Sequence, residues 1–221
     1  DVDVGTGRIT VRHALQMSLN VPAVEVLEAV GTPALFPRLR RAGAEPVLPK
    51  AETPGLATGL GGLGLSLKDL VQLFAALGSK GNAVSLYDGV NGQPSEPVRA
   101  AVLAPQAAWQ IIDILGGIPQ PDGSAPAPIA YKTGTSYGYR DAWTIGFDGR
   151  HVIGVWVGRP DNASVPGITG GGTAAPILFE AYHRSGLKPA PLPSPPSGAV
   201  VLAKHDLPAS LQRFAKTGTR L

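Results

Sequence analysis

Ile129-Ala130-Tyr131-Lys132-Thr133-Gly134-Thr135-Ser136 opens a stretch that decides the fold, because it is followed at once by 141–147 and 151–158, two more short runs of the same kind. Each run is rich in β-branched or aromatic residues. Glycine-bearing turns such as Asp148-Gly149 separate them, so the three read as consecutive antiparallel strands, a meander. Outward from this sheet the period changes to a helical one. Residues 174–184 predict a helix that packs on the sheet, after a glycine cluster at 167–172. Before the sheet, proline opens and Gly116-Gly117 closes a helix over 105–115, with Trp109, Ile112 and Leu115 on one side. Leu67, Leu70, Val71, Phe74 and Leu77 recur at i, i+3, i+4, i+7 and predict a helix over 66–77, with Ser66 as N-cap and Gly78 as stop. From Thr10 to Val30 the apolar spacing gives two helices broken near 18–22, where Pro22 interrupts. Helices packed on a mainly antiparallel sheet make this an α+β fold.

The bulk numbers fit one domain with trimmings. The chain has 221 residues, 43% apolar and 16% charged, the balance of a chain with a sizeable core. A net charge of +3 that is not gathered into a run gives no footprint for nucleic acid, and none is expected as a partner. There is no cysteine, hence no disulfide framework and no thiolate metal site. His13, His151, His183 and His205 are scattered without ligand spacing, so neither metal nor cofactor is expected. The chain begins at Asp1 with no charged-then-apolar leader and holds no run of about 18 apolar residues. It reads as processed or excised, without an anchor of its own. Proline dominates 189–196, so 1–186 is expected to form the domain, 187–198 a proline-rich linker, and 199–221 a tail or the opening of a further domain.

Chemistry concentrates in two motifs. Lys132 points a fixed positive charge from a strand, the hydroxyls of Thr133 and Thr135 suit a carboxylate, and Gly134 lets a substrate backbone approach the strand edge. Ser18-Leu19-Asn20 offers a hydroxyl and a side-chain amide at a helix break, suited to proton relay and amide recognition. Each motif alone is weak. A second Lys216-Thr217-Gly218-Thr219 lacks flanking strands, and Ser18 with Asn20 also fits a capping pair. Gly59-Leu60-Gly61-Gly62-Leu63-Gly64 matches a dinucleotide spacing but has no strand-loop-helix setting, and reads as a tight loop into the Ser66 helix. Asp141 and Trp143 read as turn and packing residues, and Asn162-Ala163-Ser164 carries no weight.

Taken in order, 15–24 with Ser18-Leu19-Asn20, then Lys132-Thr133-Gly134-Thr135-Ser136, Asp141-Ala142-Trp143, Val155-Trp156-Val157-Gly158 and Gly172-Thr173-Ala174-Ala175-Pro176-Ile177, the chain resembles the transpeptidase domain of class A, bifunctional penicillin-binding proteins over about residues 5–185. The resemblance implies the penicillin-binding and serine β-lactamase-like transpeptidase fold, incomplete at the N-terminus. It also implies a peptidoglycan D,D-transpeptidase with an acyl-serine intermediate. Of the family's three motifs, Ser-x-x-Lys, Ser-x-Asn and Lys-Thr-Gly, the last two are present. The nucleophile is expected upstream of Asp1, which would leave the chain inactive alone. Ser185-Gly186-Leu187-Lys188 has the wrong order and setting. Carried over, Ser18 relays the leaving-group proton, Asn20 binds the substrate amide and Lys132 supplies positive potential. Thr133, Gly134 and Thr135 bind the terminal carboxylate and backbone, with the Thr135 N–H as one oxyanion donor. Peptidoglycan stem peptides and β-lactam antibiotics are the implied partners. The implied location is the periplasmic face of a bacterial inner membrane, with anchor and glycosyltransferase in a full-length parent. A D,D-carboxypeptidase, a β-lactamase-like hydrolase and a non-catalytic peptidoglycan- or β-lactam-binding module share these motifs.

Overall fold

The computed structural model describes residues 9–48, 55–90, 100–202 and 206. Its helices run α1 (Val11–Gln16), α2 (Asn20–Val30), α3 (Thr32–Arg41), α4 (Leu67–Gly78), α5 (Pro105–Gly116) and α6 (Ala175–Arg184), and its strands β1 (Ala130–Thr135), β2 (Asp141–Phe147) and β3 (Val152–Gly158). The strands form an antiparallel sheet in the order β1-β2-β3, with Thr135 opposite Ala142 and Phe147 opposite Val152. The meander read from the sequence is therefore present, and the α+β class with it.

Alternation along the strands gives the sheet two working faces. Ala130 and Phe147, both 0% exposed, pack with Ile112 and Leu115 of α5 and with Phe74 and Leu77 of α4. Lys132 lies on that same face. Tyr131 packs on the other with Leu178, Phe179 and Tyr182 of α6, and Thr133 and Thr135 share its side. Glycines let the helices seat closely. A Cβ at Gly154 would stand 2.8 Å from Leu67 and Val71 of α4, and one at Gly146 would stand 2.8 Å from Leu178 of α6. Filling either gap would displace these side chains in a close-packed interior. The helix ends behave as the residue types require: Ser66 and Asp69 form a reciprocal capping box at α4, and proline opens α5, consistent with orphan N–H groups being satisfied or absent there.

The structure departs from the sequence reading in instructive places. The break between the first two helices falls at 17–19, whereas Pro22 sits in the first turn of α2, where its missing N–H costs no hydrogen bond. Helix α3 was not anticipated, since Pro33 and Pro37 argue against it. Pro33 opens it, and Pro37 lies inside it, with Phe36 buried beneath, so tertiary burial outweighs the one helix bond that Pro37 removes. Gly149 does not take the positive φ that an Asp-Gly hairpin suggests. A Cβ there would instead stand 2.1 Å from the Pro191 carbonyl oxygen, so the glycine serves close approach. The proline-rich stretch accordingly lies back on the body: Gly149 N–H donates to Ala190 O at 3.0 Å, Gln106 reaches Ser197 O at 2.9 Å, and Leu192 joins the α4–α5 core. Most of 199–221, including Lys216-Thr217-Gly218-Thr219 and His205, lies outside the described residues. Gly59 to Gly64 closes a short 3₁₀ turn (Leu56–Leu60), with Val47 bridged to Gly64. No βαβ unit surrounds it among the described residues.

Candidate active site

Helix α1 is delivered to the sheet by α5. Arg12 pairs with the Asp113 carboxylate and also donates to Asp113 O, Gln16 Nε2 donates to Ile114 O at 2.8 Å, and Leu15 packs into the α4–α5 core. Gly117 makes room for this contact, since a Cβ there would stand 2.6 Å from Gln16 Nε2. The C-terminal end of α1 is thereby held over β1.

At that end the chain turns through Ser18. Its N–H donates to Leu15 O at 3.2 Å and the next N–H, of Leu19, reaches back to Ala14 O at 2.9 Å, the pair of bonds of a Schellman turn. The residue in the left-handed position of such a turn is usually glycine. Here it is Ser18, with φ 55°, a conformation that costs a side-chain-bearing residue about 1 kcal/mol or more. Ser18 Oγ accepts from Lys132 Nζ at 2.7 Å, and Lys132 also donates to Thr133 O at 2.7 Å. Two motifs that lie 114 residues apart in sequence thus meet. Burial pulls the lysine's pKa below its ordinary value, because desolvation disfavours the ammonium form. No carboxylate pairs with it among the described residues. A lysine poised this way beside a hydroxyl is equipped to exchange a proton with it.

Asn20 begins α2 two residues after Ser18, is exposed, and its amide makes no hydrogen bond among the described residues. On β1, Ser136 N–H donates to Asp141 O at 3.0 Å. Antiparallel ladders point alternate residues' N–H and C=O outward, so the main-chain groups of Thr133 and Thr135 face the open edge of the sheet. Ser18 is therefore brought to the strand that carries Lys132, Thr133, Gly134 and Thr135, and these residues are divided between its faces, while no hydrogen bond joins Asn20 to the strand among the described residues. Ser18 and Lys132 stand on the α5 side, while the Thr133 and Thr135 side chains stand on the α6 side. Behind Gly134 runs the glycine cluster: Gly170 N–H donates to Thr135 Oγ1 at 3.0 Å, and the buried Thr144 hydroxyl donates to Gly170 O at 3.0 Å. Gly170, Thr144 and Gln16 were not picked out from the sequence. Gly170 lay unmarked within the 167–172 glycine cluster, Gln16 within the 15–24 stretch that carried the family resemblance, and Thr144 gave no signal.

The remaining candidates are structural. Ser185 caps the end of α6, with its hydroxyl donating to Tyr182 O at 3.0 Å, which leaves Ser185-Gly186-Leu187-Lys188 outside the site. Asp141, the first residue of β2 rather than a turn residue, accepts from Trp156 Nε1 at 2.8 Å, and Trp143 packs against Trp156 with ring centres 6.0 Å apart. No helix among the described residues is long and apolar enough to cross a membrane.

A three-stranded antiparallel sheet between helices, with Ser-x-Asn set over a Lys-Thr-Gly edge strand, is the architecture of the penicillin-binding transpeptidase fold. The chain is a relative of the class A penicillin-binding proteins and aligns with part of their transpeptidase domain. It is 41% identical over 195 residues to penicillin-binding protein 1C of Escherichia coli (strain K12), covering 86% of this chain and 25% of that protein. It is 29% identical over 193 residues to penicillin-binding protein 1B of the same organism, covering 80% of this chain and 22% of that protein. The chain thus spans about a quarter of the length of the curated relatives it matches. No family model matches it. Among solved structures, penicillin-binding protein 1A of Haemophilus influenzae superposes with a TM-score of 0.67 at 20% identity, covering 85% of this chain and 36% of that one. The PonA1 protein of Mycobacterium tuberculosis in complex with penicillin V gives 0.67 at 21% identity, covering 87% and 61%. These structural likenesses establish the fold.

Proposed function

We propose that this chain supplies the Ser-x-Asn and Lys-Thr-Gly parts of a serine D,D-transpeptidase that cross-links peptidoglycan at the periplasmic face of a bacterial inner membrane. The observation that carries the reading is the 2.7 Å contact between Lys132 Nζ and the strained Ser18 Oγ, because a backbone held in a costly conformation to present a hydroxyl to a desolvated lysine marks a functional site. The identity to penicillin-binding protein 1C adds weight. An activated serine attacks the penultimate D-alanine carbonyl of a stem peptide. The amide bond breaks, and the terminal D-alanine leaves with a proton relayed through Ser18. An acceptor amine then attacks the ester, forms the cross-link and regenerates the serine.

Each residue has a part in that sequence. Lys132 keeps positive potential at the carboxylate end, Asn20 receives the donor amide, and Thr133, Gly134 and Thr135 bind the carboxylate and backbone along the open edge. The outward Thr135 N–H is one of two oxyanion donors. The attacking serine is assigned to a Ser-x-x-Lys segment outside these 221 residues, since the Ser185 copy is engaged in capping α6. β-Lactams acylate the same serine, as mimics of the stem peptide. The domain is assigned to 1–186, and 187–198 to a proline-rich linker that lies back against it before the C-terminal segment 199–221.

Labelling with a fluorescent penicillin tests this. The chain alone and a form extended upstream are compared, each with and without Lys132→Ala. Labelling of the extended form only, reduced by about 10² or more in the variant, is the expected result. A folded extended form that takes no label, yet binds peptidoglycan, makes the protein a binding module instead. Product analysis with an acceptor amine separates cross-linking from hydrolysis.

A further inference from the structure

Gly170 occupies a place with no room for any other residue. A Cβ on it would stand 2.5 Å from Gly134 O, 2.7 Å from Trp143 O and 2.8 Å from Gly134 N, all of them main-chain atoms of paired strands that cannot swing aside. Its segment presses directly on the back of the Lys-Thr-Gly strand at its glycine. It is also held in orientation. The Thr144 hydroxyl, fully buried, shares its single proton between two carbonyls, Gly170 O at 3.0 Å and Trp143 O at 2.8 Å. On its other side, Thr169 accepts from Gly172 N–H at 2.9 Å and Thr173 N–H returns to Thr169 O at 2.8 Å, which frames a turn of π-helix (Gly170–Ala174). Such single turns recur at functional sites. The outcome is a Gly170 N–H aimed at Thr135 Oγ1 at 3.0 Å.

We propose that Gly170, anchored by Thr144, is a positioning residue that presets the Thr135 hydroxyl to donate to an anionic ligand group at the β1 edge. A threonine hydroxyl has one proton and two lone pairs. Left alone, it turns its proton onto a nearby main-chain carbonyl. Gly170 N–H occupies a lone pair of Thr135, which orients the hydroxyl as acceptor from behind and donor in front, where Thr135 is exposed. No hydrogen bond of this kind is made to the Thr133 hydroxyl among the described residues. The two threonines of the strand are therefore not equivalent: Thr135 is preorganised and Thr133 adapts. This inference rests on the transpeptidase reading, in which the anion is the terminal carboxylate of a D-alanyl-D-alanine peptide.

The test uses this chain with two probes, N-acetyl-D-alanyl-D-alanine and its C-terminal carboxamide, their affinities read by NMR titration. Hydrogen bonds to charged groups are stronger than neutral ones, so the wild type should prefer the acid by about tenfold. Thr135→Val and Gly170→Ala should each bring that preference to within about threefold, whereas Thr135→Ser, which keeps the hydroxyl, should retain it. Thr144→Val, isosteric and without the Cβ clash that Gly170→Ala introduces, should lose part of the preference, and it decides the matter if Gly170→Ala does not fold. A wild type that discriminates, with folded Gly170→Ala and Thr144→Val forms that discriminate as well, overturns the positioning role alone. A wild type that binds neither probe, both as this chain and in the form extended upstream, overturns the transpeptidase reading and this role together.

Discussion

Ser18→Gly and Ser18→Ala remove the same hydroxyl and the same bond from Lys132, yet they should differ in stability. At φ 55° the Cβ of alanine meets the same clash as that of serine, which costs about 1–2 kcal/mol, while glycine has none. Glycine loses more freedom on folding, about 0.5–1 kcal/mol relative to alanine. The balance leaves Ser18→Gly more stable than Ser18→Ala by about 0.5–1 kcal/mol, with the lost Lys132 contact cancelling between them. Urea unfolding of both variants, at a slope unchanged from wild type, reads this difference directly as a shift in midpoint. Both should be inactive in an acylation-competent form, so that the more stable variant gains nothing in function. If Ser18→Ala is as stable as Ser18→Gly or more so, the left-handed turn is not a strained feature. The argument that its strain marks a functional site then falls.

Asp148→Ala should destabilise the β2–β3 hairpin by about 2–4 kcal/mol. The buried carboxylate accepts from Arg150 N–H at 2.6 Å, His151 N–H at 2.7 Å and His151 Nδ1 at 3.0 Å, and chemical denaturation checks the loss. Burial alone would raise the Asp148 pKa, but these bonds from His151 and Arg150 outweigh it and hold the pKa below the ordinary carboxylate value. Its contribution is therefore full above the unfolded-state pKa and is lost as pH falls through the lower folded value; Asp148→Asn should flatten that acid limb in a stability-versus-pH series. Leu178→Ala, at a side chain 0% exposed between α6 and Gly146, should cost about 3 kcal/mol in thermal unfolding. In an acylation-competent form, the alkaline limb of the rate profile should lie below the ordinary lysine value. Lys132→Arg should move it upward or remove it, because guanidinium keeps its proton.

The sheet and its flanking helices were legible because their signals are local. Short β-branched or aromatic runs separated by glycine-bearing turns, and a period of 3.6 opened by Ser66 or Pro105, each need only a few neighbours. Helix α3 was hidden because Pro33 and Pro37 speak against a helix and only the burial of Phe36 speaks for it. Ser18 was found through its motif, but its left-handed backbone was not, since the usual glycine is absent from the turn. Gly170 was beyond reach for a different reason. One glycine in a cluster reveals nothing until the strand it backs, and the absence of space at its Cβ, are known. The division of the site between two strand faces likewise depends on which helix covers which side.

Of the chain's three tryptophans, Trp143 and Trp156 form a tilted pair next to Gly134, with a Cβ at that glycine only 3.7 Å from that of Trp143. The protein thus carries an optical probe one residue's width from the strand edge. Two indoles this near interact in their excited states, so under the proposed function their fluorescence and near-ultraviolet dichroism should change when a stem peptide is titrated onto the edge. Occupancy of the edge is readable in the unlabelled protein, by light alone.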